Sequence, residues 1–320
     1  MREIKIESSE KGQRVDKFLF KYMKLAPKSF VYKMLRKKNI KLNGKRAEGS
    51  EILKEGDILS LYLADETIEK FTEMADIKKA GRDFEIVYED ENIIICGKPE
   101  GLIVHPDKEH RDNTLNDQLL WYLYEKGEYK PDSAKGFVPS ICNRLDLNTS
   151  GIVTMGKNLA SVQELNRGFR ERLIDKYYLT VVKGLVDKEG VVEGYHLKNE
   201  GNIVLISNRD NGGDYICTKY KPLKSNGRYT LLEVKLETGK SHQIRVCMEY
   251  IGHPIIGDRK YGDSKVNKYF YDKYRLERQF LHSCRLKLNM DKGCLEYLNG
   301  REFICSIKGS LQKIYNDLFQ

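Results

Sequence analysis

No run of eighteen apolar residues occurs in this sequence, so nothing in it reads as a membrane-spanning helix. Its first residues, MREIKIESSEKGQR, carry charges without the apolar stretch a secretory leader needs, and the cytoplasm is the expected compartment. Cysteine is sparse. Cys96, Cys142, Cys217, Cys247, Cys284, Cys294 and Cys305 are odd in number and contain no C-x-x-C pair, a pattern of reduced, mostly buried thiols rather than a disulfide framework. Neither cysteines nor histidines fall at metal-ligand spacing; His105 and His110 read as structural loop residues, and no metal is expected. Internal repeats and low-complexity tracts are also missing. Charge is plentiful, at 32% of the chain, and 40% apolar with 10% aromatic residues suffices for a sizeable core. At 320 residues, two domains are the natural expectation.

The formal net charge of +9 is concentrated in one place. Between Lys11 and Arg46 thirteen basic residues face a single acid, Asp16, a local surplus of +12 that leaves the remainder of the chain slightly acidic. So one-sided a segment repels itself, and a polyanion relieves that repulsion most readily. Within it, Val15, Phe18, Leu19 and Tyr22 fall at helical spacing. Ser29 can cap a second helix whose Val31, Met34 and Leu35 face inward. A short strand, I-K-L-N-G-K, then turns at Asn43-Gly44, and Glu55-Gly56-Asp57 leads into the strand ILSLYL.

Helix, basic helix, I-K-L-N-G-K and E-G-D-I together resemble the S-four-type RNA-binding domain. The resemblance implies that the second helix and following loop grip RNA backbone. Arg14, Lys17, Lys33, Arg36, Lys37, Lys38, Lys41, Asn43 and Lys45 are the candidate contacts. The expected division is residues 1–63 for this domain, 64–82 for a linker, and 83–320 for a larger domain.

In that larger part, Ile86-Val87-Tyr88 and Ile93-Ile94-Ile95 read as strands joined by Glu89-Asp90-Glu91. Asp146 enters the turn Asn148-Thr149-Ser150-Gly151 ahead of a strand at 152–155, a place where an acid is held rigidly yet reached by a ligand. On composition alone it reads as an aspartate bonding its own turn amides. A helix is predicted over 161–173 and strands over 176–184 and 229–237. The following Thr238-Gly239-Lys240-Ser241 has the look of a phosphate-binding loop, but Val234 stands where the first glycine of that motif belongs, which argues against an NTPase and leaves an NTP-dependent RNA enzyme as a second alternative that ATP or GTP binding would reveal. The turn could still offer amides, Lys240 and a helix N-terminus to one phosphate.

Five ordered motifs carry a second resemblance: C-G-K-P-E-G at 96–101, N-R-L-D-L-N-T-S-G at 143–151, K-Y-Y-L-T-V-V-K-G at 176–184, T-G-K-S-H-Q-I-R at 238–245 and G-H-P-I-I-G-D-R-K-Y-G at 252–262, followed by F-L-H-S at 280–283. They are similar to RluC- and RluD-like (RluA family) RNA pseudouridine synthases. Asn143 stands where the family has histidine and Lys240 where it has arginine, which bears on fine RNA contacts rather than on the reaction class. The implied fold is α+β, with a central, mostly antiparallel mixed sheet flanked by helices and loops. By the same resemblance Asp146 is the catalytic carboxylate, Arg245 its ion-pair partner, and Tyr178 stacks on the extruded uracil. Arg144, Thr149, Ser150, Lys176, Lys240, His242 and Gln243 are the implied substrate contacts.

Such a reaction is an isomerisation and needs no cofactor. The expected partner is structured RNA, large-subunit ribosomal RNA ahead of transfer RNA, and the expected state is a monomer without an obligate protein partner. A non-catalytic RNA-binding or ribosome-assembly factor is the main alternative; residues 263–279 are an insertion that shapes specificity or an ordinary basic surface loop.

Overall fold

The computed structural model describes residues 1–7, 10–72, 77–107, 112–131, 137–198, 204–207, 209–210 and 212–320. His110 lies outside them.

The N-terminal unit runs β1 (Arg2–Lys5), α1 (Val15–Tyr22), α2 (Lys28–Arg36), β2 (Ile40–Leu42), β3 (Lys45–Arg46), β4 (Ile58–Leu61) and α3 (Asp65–Phe71), with strand order β1-β4-β2-β3. Its own core gathers Ile4, Val15, Phe18, Leu19, Val31, Leu35, Ile40, Leu59 and Leu61. The inward positions of both helices are those the sequence periodicity gives, whereas in β4 Leu59, Ser60 and Leu61 are all buried. The linker expectation is corrected at both ends. Residues 65–71 form α3, whose Ile68 is fully buried in this core and whose Phe71 ring packs 4.8 Å from Phe30. Beyond the undescribed residues 73–76, Ile77 packs on the large core and the Gly81 amide donates to Asn113 Oδ1 at 2.8 Å.

The large domain contains β5 (Glu85–Glu89), β6 (Ile93–Lys98), α4 (Leu115–Glu125), β7 (Ser140–Ile141), β8 (Ser150–Gly156), α5 (Leu159–Arg170), β9 (Ile174–Lys183), β10 (Gly190–Lys198), β11 (Val204–Ser207), β12 (Asp214–Ser225), β13 (Tyr229–Leu236), α6 (Gln243–Tyr250), α7 (Ser264–Tyr274), β14 (Leu281–Leu288), β15 (Glu302–Ile304) and α8 (Gly309–Phe319). One sheet threads β11-β10-β12-β13-β9-β14-β8-β6-β5, with β15 added to β14 and β7 to β8. Every described pairing is antiparallel except β14 on β8. The sheet is covered on both faces, which is why β6 reads as an unbroken apolar run: Ile94 and Cys96 enter one core with α4 and α6, while Ile93 and Ile95 enter the other with α5 residue Leu165. Residues 263–279, expected as an insertion or a basic surface loop, are largely helix, capped by Asp263 and anchored by buried Phe270 and Tyr274.

The parallel contact between β8 and β14 is close. His282 lies opposite Ser150 and Ser283 opposite Gly151, and Gly151 has φ +111°. A Cβ at Gly151 would sit 2.6 Å from the Ser283 nitrogen and would collide with the Ser283 carbonyl oxygen. Only glycine meets both demands. Gly151→Ala should therefore destabilise the protein by about 3 kcal/mol or more, measured by chemical denaturation; a loss under about 0.5 kcal/mol would contradict this packing.

Candidate active site

The β9-β14-β8 order brings the site together. Tyr178 on β9 is paired with Ser283 on β14, and Ser283 lies against Gly151, five residues beyond Asp146. Asp146 sits in the turn before β8, its side chain 35% exposed, with the Thr149 amide donating back to its carbonyl at 3.0 Å. It is the accessible acid of an otherwise buried group.

Arg245, the third residue of α6, points at it: Nη1 lies 3.8 Å from Asp146 Oδ2, an electrostatic contact rather than a hydrogen bond. The stronger partner of this guanidinium is a residue the motif reading passed over. Asp258 is completely buried and accepts from Arg245 Nε at 2.6 Å and Nη2 at 2.8 Å. Burial pushes the Asp258 carboxyl up, but the Arg245 bonds and charge and the amides of Tyr261 and Lys260 more than offset it and hold it below its usual range. The Tyr261 ring lies 5.1 Å from the guanidinium. Arg245 is thus fixed on one edge and presents the other to Asp146.

Tyr178 is buried and lies opposite Ser283 across the β9–β14 pairing. Burial, reinforced by the Asp146 charge and opposed by Ser283, pushes its phenol up, so it stays protonated at neutral pH and is able to donate. His242 occupies the left-handed region at φ 58°, and its Nδ1 is 3.1 Å from the Tyr261 hydroxyl; burial pushes its imidazole down while Asp146 opposes the shift.

Lys98, from the K-P-E-G segment, is the other buried group the sequence reading did not single out. Its ammonium donates to the carbonyls of Pro99 (2.9 Å), Leu102 (2.7 Å) and Leu147 (3.1 Å), tying the 98–102 segment to the residue after Asp146. Burial pushes it down to about 7, against the pull of Asp146.

The implied substrate contacts divide. Arg144 is exposed, and Lys176 is partly buried beside Gly239 without an ion-pair partner among the described residues. Four others are already engaged inside the protein. Gln243 accepts from Thr238 Oγ1 and the Lys240 amide and donates to Cys217 and Thr218, so it builds the 238–242 turn. That turn consequently does not offer the Lys240 amide to a phosphate, and Lys240 itself pairs with Asp214 at 2.8 Å. Thr149 is buried against Gln279. Ser150 bonds His282 Nδ1 at 2.8 Å; since His282 Nε2 faces the Cys305 carbonyl at 2.8 Å and must carry the proton, Ser150 donates. Asn143 holds β8, accepting from the Thr154 amide at 2.7 Å and donating to the Ile152 carbonyl.

In the N-terminal unit, Lys17, Lys33, Arg36, Lys37, Lys38 and Lys45 are exposed, and none of Lys33, Arg36, Lys37, Lys38 and Lys45 takes an acid partner among the described residues. Three expected contacts are otherwise occupied. Arg14 is doubly bonded to the buried Asp16, at 3.1 and 2.8 Å. Asn43 builds its turn through Asp57 and the Ile58 amide, and Lys41 lies 4.7 Å over the Tyr62 ring.

Residues 92–250 match the family described as RNA pseudouridylate synthase, and residues 13–59 match the S4 domain. An RNA pseudouridine synthase of Aquifex aeolicus is 35% identical over 81% of this chain and 79% of its own length. The ribosomal large subunit pseudouridine synthase C of Vibrio cholerae is 32% identical over 89% and 87%. The chain belongs to the RNA pseudouridine synthases. The fold agrees: human RNA pseudouridylate synthase domain containing 4 superposes with TM-score 0.57 at 22% identity, covering 72% of this chain and 92% of that one.

For this pseudouridine synthase the Lys98 ammonium makes a measurable prediction. Its value is lowered in the folded protein to about 7, well below an unfolded lysine, so the unfolded chain binds more protons above pH 7. Wild-type stability should rise with pH between about 7 and 10 relative to Lys98→Met, by at most about 1.4 kcal/mol per pH unit. Parallel denaturation curves across that range check the slope, and equal pH profiles would contradict it.

Proposed function

We propose that this RNA pseudouridine synthase acts on large-subunit ribosomal RNA, with the Asp146 carboxylate acting at the ribose of a uridine turned out of its stack. The observation that carries the reading is the arrangement around Asp146: a half-exposed carboxylate facing the free edge of an arginine whose other edge is locked by buried Asp258. The bond from ring nitrogen to the anomeric carbon breaks, the uracil turns, and the carbon-five bond forms; the carbon-five proton leaves and the ring nitrogen gains one, so no atoms are exchanged overall. Tyr178, protonated and walled by the sheet, supplies a flat face and a donor to the uracil. The relatives named as large-subunit synthases, including one from Rickettsia bellii at 34% identity, support the choice of substrate.

Extruding a nucleotide costs a few kcal/mol, which contacts elsewhere must offset. The unpaired cations of α2 and the following hairpin are suited to that work. Replacing Arg36 and Lys37 together by Glu should weaken RNA binding about tenfold or more and lower the salt slope by about two, with an unchanged melting curve because both side chains are exposed. Filter binding across a salt series reads both quantities.

Pseudouridine mapping in ribosomal and transfer RNA tests the main reading, in cells that lack the gene or carry the wild type or Asp146→Ala. Loss of large-subunit sites restored only by the wild type is expected. Lost sites in transfer RNA would overturn the substrate assignment alone. Sites restored by Asp146→Ala would overturn the role of the carboxylate, and no change in any RNA would favour a non-catalytic factor.

A further inference from the structure

The partly buried arginines of the large domain have acids to face. Arg245 has Asp258 and Asp146, Arg285 has Glu233 and Glu302, and Arg167 has Glu164 and Glu171. Arg278 is an exception. It is partly buried between α7 and β14, yet no carboxylate or carbonyl lies within bonding distance of its guanidinium among the described residues. None of its nitrogens is a buried atom lacking a hydrogen bond, so the guanidinium stays open to solvent and to a ligand.

Its position is fixed from several sides. The Arg278 carbonyl packs so tightly on Gly257 that a Cβ there would collide with it. Its neighbour Gln279 bonds Thr149 of the Asp146 turn at 3.4 Å, and the Phe280 amide donates to the Ile256 carbonyl at 2.9 Å. The guanidinium itself lies against Gly101, where a Cβ would come within 2.8 Å of Cζ and 2.9 Å of Nη2. Gly101, with φ +82°, donates its amide to the Leu147 carbonyl at 2.9 Å, directly after Asp146. Lys98, bonded to the same carbonyl, feels Asp146 and Arg278 together. A rigidly seated, unpaired, planar cation therefore borders the turn that carries the proposed catalytic acid.

We propose that Arg278 is a phosphate-binding residue of the active site, taking an RNA backbone phosphate beside the uridine that enters the Asp146 site. This rests on RNA being the substrate. The guanidinium fork matches two phosphate oxygens at once, and the bare Gly101 lets the sugar-phosphate chain approach it. The acid a purely structural role would recruit is Glu100, whose Oε2 is buried without a hydrogen-bond partner, but it lies beyond ion-pair distance.

The test uses the full-length enzyme and a ribosomal RNA transcript, comparing wild type, Arg278→Ala and Arg278→Lys in Kd across about 50–200 mM salt, in KM and kcat, and in melting temperature. Arg278→Ala should raise Kd and KM about tenfold and lower the salt slope by about one, with the melt unchanged. Arg278→Lys should restore the slope and only part of the affinity. An unchanged Kd and slope overturns the proposal. So does a lowered melt with an unchanged slope, particularly if Glu100→Gln rescues it. The Kd series is read whether or not turnover occurs, so a wild type that binds with these shifts but modifies nothing overturns the functional reading alone.

Discussion

The structure is joined along one narrow seam, where β8 and β14 run parallel and Gly151 meets the backbone of Ser283 with no room for a side chain. On one side of it stand β5 to β8, on the other the antiparallel run from β9 to β13. The same approach sets Tyr178, Ser283, Gly151 and the Asp146 turn in order across three strands. Buried polar pairs flank the seam: Ser150 with His282, Thr149 with Gln279. Each satisfies a group that would be costly if left alone. Residues that the family motifs suggest as substrate contacts thus hold the sheet together where the site is built on it.

Charge in the site is arranged hierarchically. Asp258, sealed from water, takes two of Arg245's nitrogens and removes that side chain's freedom, leaving a third to face Asp146 at longer range. A pair with both members buried is strongly coupled, whereas Asp146, partly in solvent, is screened and reachable. Lys98 works through the backbone instead, gathering three carbonyls around the turn. The proposed catalytic carboxylate is held by groups that are themselves held, which is how a site keeps its geometry while its reactive atom stays open.

The N-terminal unit follows a different rule. Its apolar residues build a separate core, while Lys33, Arg36, Lys37, Lys38 and Lys45 stay on the surface with no acid partner among the described residues. Exposed, unpaired charge contributes little to stability but much to attracting a polyanion. α3 lies in the stretch expected to be linker because its single fully buried residue, Ile68, gives too weak a periodic signal in a charged segment.

Local pattern alone determined much of this protein. The strand pattern over 229–237, the apolar run of β6 and the helical spacing of α1, α2 and α5 each report on neighbours within a few residues, and each matches the structure. The ordered motifs placed Asp146, Tyr178 and Arg245 in one neighbourhood. What only the tertiary structure decided is which polar side chains remain free. Gln243, Ser150, Arg14 and Asn43 carry the donors and acceptors that a ligand site needs, but folding brings each a partner: from 25 residues away for Gln243, across the sheet for Ser150, and for Arg14 and Asn43 a carboxylate within their own small domain. Asp258 acquires its meaning only when Arg245, 13 residues earlier, is turned against it. A hydrogen-bonding group is chemically the same whether satisfied or waiting; proximity in the folded chain, which sequence spacing does not encode, separates the two.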